Sequence, residues 1–200
     1  MSETFDLDAA AQAVTTVVSN VSDDQLDGPT PCPDYTVEDL LFHVLGLSAA
    51  FKGAADKDFG QATSTPPGEA DFVLPDDWRD QIPKQLDALA VAWRNPAAWE
   101  GMTQAGGVEL PAGIAAQVAL NELTMHGWDI ARATGQDFSL DDVTLQVSHD
   151  LLYPGDDQSE REPIFGPVVK TPDDAPLLDQ VIGLGGRDPR WTPDAGFDGS

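Results

Sequence analysis

Glu122 and His126 stand four residues apart in the stretch NELTMHGWDIARATG, Asn121 to Gly135. On a helix that spacing puts a carboxylate and an imidazole on one face, about one turn from each other. Such a pair can grip one divalent metal ion, although the spacing more often marks a solvated surface pair. The neighbours bear on the choice. Ala115, Val118 and Ala119 precede Glu122 on its face, and Ile130 and Ala133 follow His126, so the carboxylate points inward, where it needs a partner.

A third donor stands far away in sequence. His43 falls on the apolar arc of another helix, three residues after Leu40 and four before Leu47, and so faces the core. It is either a hydrogen-bonded packing residue or, if its helix packs on the Glu122 face, a ligand. Two imidazoles and one carboxylate would leave a coordination position open, the pattern of catalytic rather than structural zinc. His149, beside Asp150, reads as a partly exposed residue outside this set. Cys32 lies eleven positions before His43, about 15 Å along a regular helix, and reads as a small buried residue at the helix entrance rather than a ligand or nucleophile. Asp129 could orient His126 by accepting its other ring N–H, or could be a polar residue at the edge of the face. Arg132, one turn beyond Trp128, could meet an anionic substrate, but neutralising the helix C-terminus is the reading preferred. Gly183-Leu-Gly-Gly has no preceding strand and reads as a helix end, not a phosphate loop. The Asp pairs at 76–77, 141–142, 156–157 and 173–174 show no calcium-loop spacing and read as caps or solvated turns.

The elements that must position these residues are helical. Leu7, Ala10, Val14, Val17, Val18 and Val21 recur at helical spacing. Ser22 to Pro33 reads as loop. Thr36 with Asp39 forms a capping box for a second helix to about Ala54. Ala55 to Leu74 is rich in Gly, Pro, Ser, Thr and Asp, an irregular loop that could cover one end of a bundle. A third helix opens at Pro75-Asp76-Asp77 and carries Trp78, Ile82, Leu86, Leu89 and Trp93, with Pro83 tolerable in its early turns, until Asn95-Pro96 stops it. Ala97 to Leu110 suggests a short hairpin. Pro111 begins the long fourth helix, closed by Gly135. Ser139 with Asp142 suggests another box for a short helix ending at Pro154-Gly155, residues 156 to 172 read as loop, and Asp173 or Asp174 is expected to cap a last helix from Ala175 to Leu184. The tail from Arg187 is expected to be irregular. The expected architecture is all-α: one domain over 1–200, a four-helix bundle over about 6–135, then short helices and an irregular tail over 136–200.

Bulk properties narrow the function. The 200 residues are 41% hydrophobic, but 10 Lys and Arg face 35 Asp and Glu, for a net charge of -25 and a pI near 4.1. Nucleic acid and anionic membrane partners are disfavoured by that field. There is no basic, apolar leader pattern and no run near the ~20 apolar residues of a membrane span, so a cytoplasmic protein is expected. One cysteine excludes an internal disulfide and a Cys-rich zinc site.

Thr30-Pro-Cys-Pro-Asp-Tyr-Thr-Val37, Asp39-Leu-Leu-Phe-His43 and the Asn121 to Gly135 stretch together resemble the metal-binding DinB/YfiT-like superfamily, in the branch related to the N-terminal domain of mycothiol-dependent maleylpyruvate isomerase. Phe165-Gly-Pro, Asp174-Ala-Pro-Leu-Leu-Asp and Gly186-Arg-Asp-Pro-Arg-Trp191 extend the likeness to the tail. The resemblance implies an up-down-down-up bundle holding a divalent metal, usually zinc with nickel an alternative, through His43, Glu122 and His126. Glu rather than His at 122 matches the isomerase-like branch. It also implies thiol activation: metal binding favours the thiolate of an external thiol such as mycothiol, which then attacks an electrophile. Trp128, Asp129 and the Ala55 to Leu74 loop are where substrate contacts are expected. Within these 200 residues only short helices and a tail, not a second α/β domain, are expected after the bundle, a departure from the isomerase. The expected function is a metal-dependent thiol S-transferase or isomerase acting on a small thiol and an electrophile, with a homodimer an allowed assembly. The alternatives are a non-catalytic metal-binding stress, sensor or interaction protein, and a metal-assisted hydrolase.

Overall fold

A computed structural model describes residues 4–64, 73–153 and 167–193. Its elements are α1 (Asp8–Ser19), α2 (Val37–Asp56), α3 (Gln61–Ser64), α4 (Trp78–Trp93), β1 (Met102–Ala105), β2 (Val108–Pro111), α5 (Ala112–Ala133), α6 (Asp142–Leu152) and α7 (Leu177–Leu184). Helices α1, α2, α4 and α5 form the bundle, with α1 and α2 on one diagonal and α4 and α5 on the other. No helix among the described residues is long and apolar enough to cross a membrane.

Hydrogen bonds between helix ends give the directions. Arg79, at the start of α4, donates to Val21 O just past α1 at 3.0 Å, while Arg94 at the end of α4 pairs with Asp8 at the start of α1, so these helices are antiparallel. Trp93 Nε1 donates to Phe51 O at 3.1 Å, bringing the last turns of α2 and α4 together in parallel. Gln136 Nε2 reaches Val17 O at 3.1 Å, which places the ends of α5 and α1 side by side. The chain therefore runs up, down, down, up, the arrangement implied by the resemblance.

Local sequence explains most boundaries. The Thr36 hydroxyl accepts from Asp39 N–H at 3.2 Å and Asp39 Oδ2 accepts from Thr36 N–H at 2.9 Å, completing the expected box. The hairpin expected between 97 and 110 is present, its turn made by Gly106 and Gly107 at φ +57° and +79°. Two successive left-handed residues are what a two-residue turn of this hand demands.

Other boundaries differ from expectation. α2 continues through Ala55 and Asp56, and α3 interrupts the loop that was to run from Ala55 to Leu74, whose residues 65–72 lie outside the described ones. Asp141, not Ser139, caps α6, accepting from Thr144 N–H at 2.9 Å and from the Thr144 hydroxyl at 2.9 Å. α7 starts at Leu177 with no side-chain cap, because Pro176 disfavours helical backbone at Ala175 and sits itself in the cap position. Pro154-Gly155, the loop residues up to 166, Phe165-Gly166 and the tail beyond 193 lie outside the described residues.

α5 is buried on more than one side. Toward the bundle it joins the main core of Val14, Val18, Leu40, Leu41, Leu86 and Leu89. On another side Met125 and Trp128 pack with Leu145 and Leu152 of α6 and Val181 and Ile182 of α7. The end of α7 presses so closely here that a Cβ on Gly185 would lie 2.3 Å from Met125 Cε, so a larger residue would require the Met125 side chain to shift.

Candidate metal centre

The capping box fixes the first turn of α2 and places His43 one turn further along, facing α5. The stripe Ala115, Ala119, Glu122, His126, Asp129 on α5 meets it. His43 Nε2 and His126 Nε2 each lie 3.2 Å from Glu122 Oε2, and one ligand atom from each of the three residues lies within 4.8 Å of the others. The two imidazoles stand edge to face, 4.7 Å between centroids and 83° between planes, so both direct an edge nitrogen at the same carboxylate oxygen. The sequence-derived trio is therefore brought together, and its donor set, two imidazole nitrogens and a carboxylate oxygen, suits a divalent ion such as zinc.

Exposure is graded across the cluster. The Glu122, His43 and His126 side chains are 27%, 20% and 10% accessible, and Asp129 is closed off at 0%. The open side of the cluster thus lies at Glu122 and His43, where a small molecule could approach, and the closed side behind His126. Cavities of about 310 and 630 Å³ open elsewhere, beside Lys52, Asp56 and Gln85 and around Lys170, Asp188 and Arg190. Neither is lined by the three donors.

Behind His126 the interactions are charged. His126 Nδ1 lies 3.2 Å from Asp129 Oδ2, and since a carboxylate only accepts, Nδ1 carries the proton and Nε2 is the nitrogen left for Glu122 or a metal. Asp129 is held in turn by Arg187, whose Nη2 donates to Oδ2 at 3.1 Å and whose Nε lies 3.4 Å from Oδ1. Burial alone would lower the His126 pKa, but the hydrogen bonds and charges of Asp129 and Glu122 outweigh it and raise it to about 9. Burial likewise opposes ionisation of Glu122, yet His126 and His43 hold its carboxyl well below the usual range. Without metal, a proton on His126 Nε2 supplies the positive charge beside Glu122.

Of the undecided residues, Asp129 takes the orienting place. Arg132 lies in the last turn of α5, the place expected of a charge that offsets the helix C-terminus, and its Nη2 also donates to Trp191 O at 2.8 Å, pinning the tail, with the guanidinium 5.8 Å from the Trp128 ring. Trp128 packs among α6 and α7 rather than beside the donors. His149 stays outside the cluster, 3.6 Å from Asp150 and stacked on Tyr153. Cys32 is partly buried against the core at the entrance to α2, as expected. Pro29 bridges to Thr36, and the Thr30 hydroxyl lies 2.8 Å from Tyr35 O and 2.9 Å from Cys32 O, folding this segment back. The thiol thereby comes within electrostatic range of Arg187 and Asp129, and burial pushes its pKa up to about 11. Tyr35 sits with its ring 6.0 Å from that of His43.

Sequence reasoning missed Arg187. The signal was only general, that a buried Asp needs a cation and basic residues are few in this chain; no spacing singles out residue 187.

Comparison with known proteins follows the same lines. Two uncharacterized proteins of Mycobacterium tuberculosis, from strains CDC 1551 / Oshkosh and ATCC 25618 / H37Rv, are each 30% identical over 138 residues, covering 66% of this chain and 67% of theirs. The crystal structure of the mycothiol-dependent maleylpyruvate isomerase superposes with a TM-score of 0.55 at 18% identity, and a histidine-to-alanine mutant of it with 0.52 at 15%. These superpositions cover 73% of this chain and 66% of the isomerase, just under two thirds of its length, and show a shared fold. Residues 7–131 match the model of the mycothiol maleylpyruvate isomerase N-terminal domain, and the chain belongs to that family.

Proposed function

We propose that the protein binds one divalent metal ion, zinc by its donor set, through His43, Glu122 and His126, and uses it to activate an external low-molecular-weight thiol, mycothiol or a close analogue, for attack on an electrophile. The convergence of the three donors on one point, open at Glu122 and His43 and closed at Asp129, carries the reading. A divalent cation held there would favour the thiolate form of a thiol sharing it at neutral pH.

The chain's own groups support an outside nucleophile. Cys32, with its pKa raised to about 11, stays a thiol near neutrality and is a poor nucleophile. Asp129 is engaged by His126 and Arg187 and serves orientation rather than proton transfer. Glu122, flanked by two imidazoles, supplies the negative charge that offsets the cation. The reaction class is S-transfer or thiol-assisted isomerisation, with residues 1–200 acting as one unit.

The test is consumption of an electrophile such as 1-chloro-2,4-dinitrobenzene, and of maleylpyruvate, by zinc-loaded protein with and without mycothiol. Turnover that requires both zinc and thiol is expected. Turnover with water alone would favour a hydrolase, and tight zinc binding with no thiol-dependent turnover of any electrophile would favour a non-catalytic metal protein.

A further inference from the structure

Asp129 is completely buried and has two ionic partners, His126 on its own helix and Arg187 from beyond α7. Removing Arg187 would leave a buried carboxylate with only an imidazole against it, an arrangement that is costly in low dielectric. The guanidinium is itself well fixed. Its Nη1 donates to Gly185 O at 2.9 Å, and its backbone N–H donates to Ile182 O at 3.1 Å in the turn that Gly186 makes at φ +84°. That turn is anchored by the docking of Gly185 on Met125 and by buried Val181 and Ile182. A rigid path thus runs from the α7 cluster through Arg187 and Asp129 to a ring nitrogen of His126.

We propose that Arg187 is a positioning residue of the metal centre: by clamping Asp129 it fixes the orientation of His126, so that the segment after α7, outside the matched 7–131 region, is a working part of the site. The inference rests on the metal-binding reading. Partners of this kind behind a ligand imidazole commonly change metal affinity by about 10- to 100-fold. Arg132 provides the contrast, since it pins the same tail at Trp191 and Pro189 without touching Asp129.

The experiment is zinc affinity by competition with a chromophoric chelator for the wild-type chain, Arg187→Gln, Arg187→Lys, Asp129→Asn, the Arg187→Gln/Asp129→Asn double variant and Arg132→Gln. Arg187→Gln and Asp129→Asn should each weaken zinc binding by about 10- to 100-fold, and the double variant by little more than either, because both break one path. Arg187→Lys, which keeps the charge but not the fork, should recover part of the loss, and Arg132→Gln should bind as the wild type does. Equal affinity in wild type and Arg187→Gln, or an equal loss in Arg132→Gln, would overturn the role of Arg187 while leaving the metal site standing. A wild-type chain with no zinc affinity would overturn both. Should Arg187→Gln not fold, Arg187→Lys and Asp129→Asn decide the matter by the same criterion.

Discussion

The two ends of the bundle are finished with different chemistry. Where the last turns of α2 and α4 meet, the space is filled by Phe5, Phe51, Trp93 and Trp99, with edge-to-face ring pairs at 5.0 and 5.5 Å. The polar handles are satisfied locally: Trp93 Nε1 on Phe51 O at 3.1 Å, Trp99 Nε1 on Trp93 O at 2.7 Å, and the Thr103 hydroxyl on Ala54 O at 2.5 Å. At the opposite end, where α2 begins and α5 finishes, stand His43, Glu122, His126, Asp129 and Arg187. Aromatic burial stabilises a fold directly, whereas buried ionic clusters gain little over apolar residues of the same shape. The second end therefore holds groups that folding alone does not require, and that difference marks it as the place to look for function.

The comparison breaks most sharply under ligand removal. His126→Ala should abolish stoichiometric zinc binding while the chain stays folded, read by elemental analysis beside far-UV circular dichroism; full zinc content in this variant would remove His126 from the site. Trp93→Ala, at the other end, should lower unfolding free energy by about 3–5 kcal/mol through loss of a fully buried ring. Its zinc affinity should be unchanged, and a coupled loss of affinity would show that the two ends are not separable.

Changing pH should act on one end only. Below about 9, His126 must release a proton when metal binds, so zinc affinity should rise about tenfold per pH unit toward that value and level off above it. In the metal-free protein the raised His126 pKa contributes stability that is full below about 6.5, the unfolded value, and is lost as pH rises through about 9. The depressed Glu122 carboxyl contributes stability present above its unfolded value near 4.5 and lost as pH falls toward its folded one. Glu122→Gln should remove the acid limb and shrink the alkaline one, which Asp129 also supports, measured by urea unfolding across pH; the same profile in wild type and variant would detach the titration from the cluster. Smallest of all, Thr36→Ala should cost about 1 kcal/mol by removing the cap about two turns before His43. Thermal unfolding with no change would mean the box does not set the start of α2.

What was legible in the sequence was local or periodic. The Thr36–Asp39 box, the Gly106–Gly107 turn, the Glu122–His126 spacing and the placement of His43 on an apolar arc each depend on a few neighbouring residues. The ends of the long helices followed from the same signals. Arg187 was not legible, because its partner is 58 positions away and is reached only after α6 and α7 have turned the chain back onto α5. Cys32 is the partly buried residue at the entrance to α2 that its setting suggests, but its approach to Arg187 and Asp129 was not legible, because Thr30 and the Pro29–Thr36 bridge fold the segment before α2 back on itself. Arg132 does sit in the last turn of its helix, but the tail carbonyls that take its donors are anticipated by no spacing rule.

The central claim is that His43, Glu122 and His126 hold one metal ion between them. A crystal structure of the zinc-equilibrated protein, with anomalous diffraction recorded on both sides of the zinc edge, tests it most directly. A single strong peak at about 2.0–2.2 Å from His43 Nε2, His126 Nε2 and a Glu122 oxygen is the predicted result. No peak there, with zinc found only among surface Asp pairs or nowhere on the chain, would contradict the account.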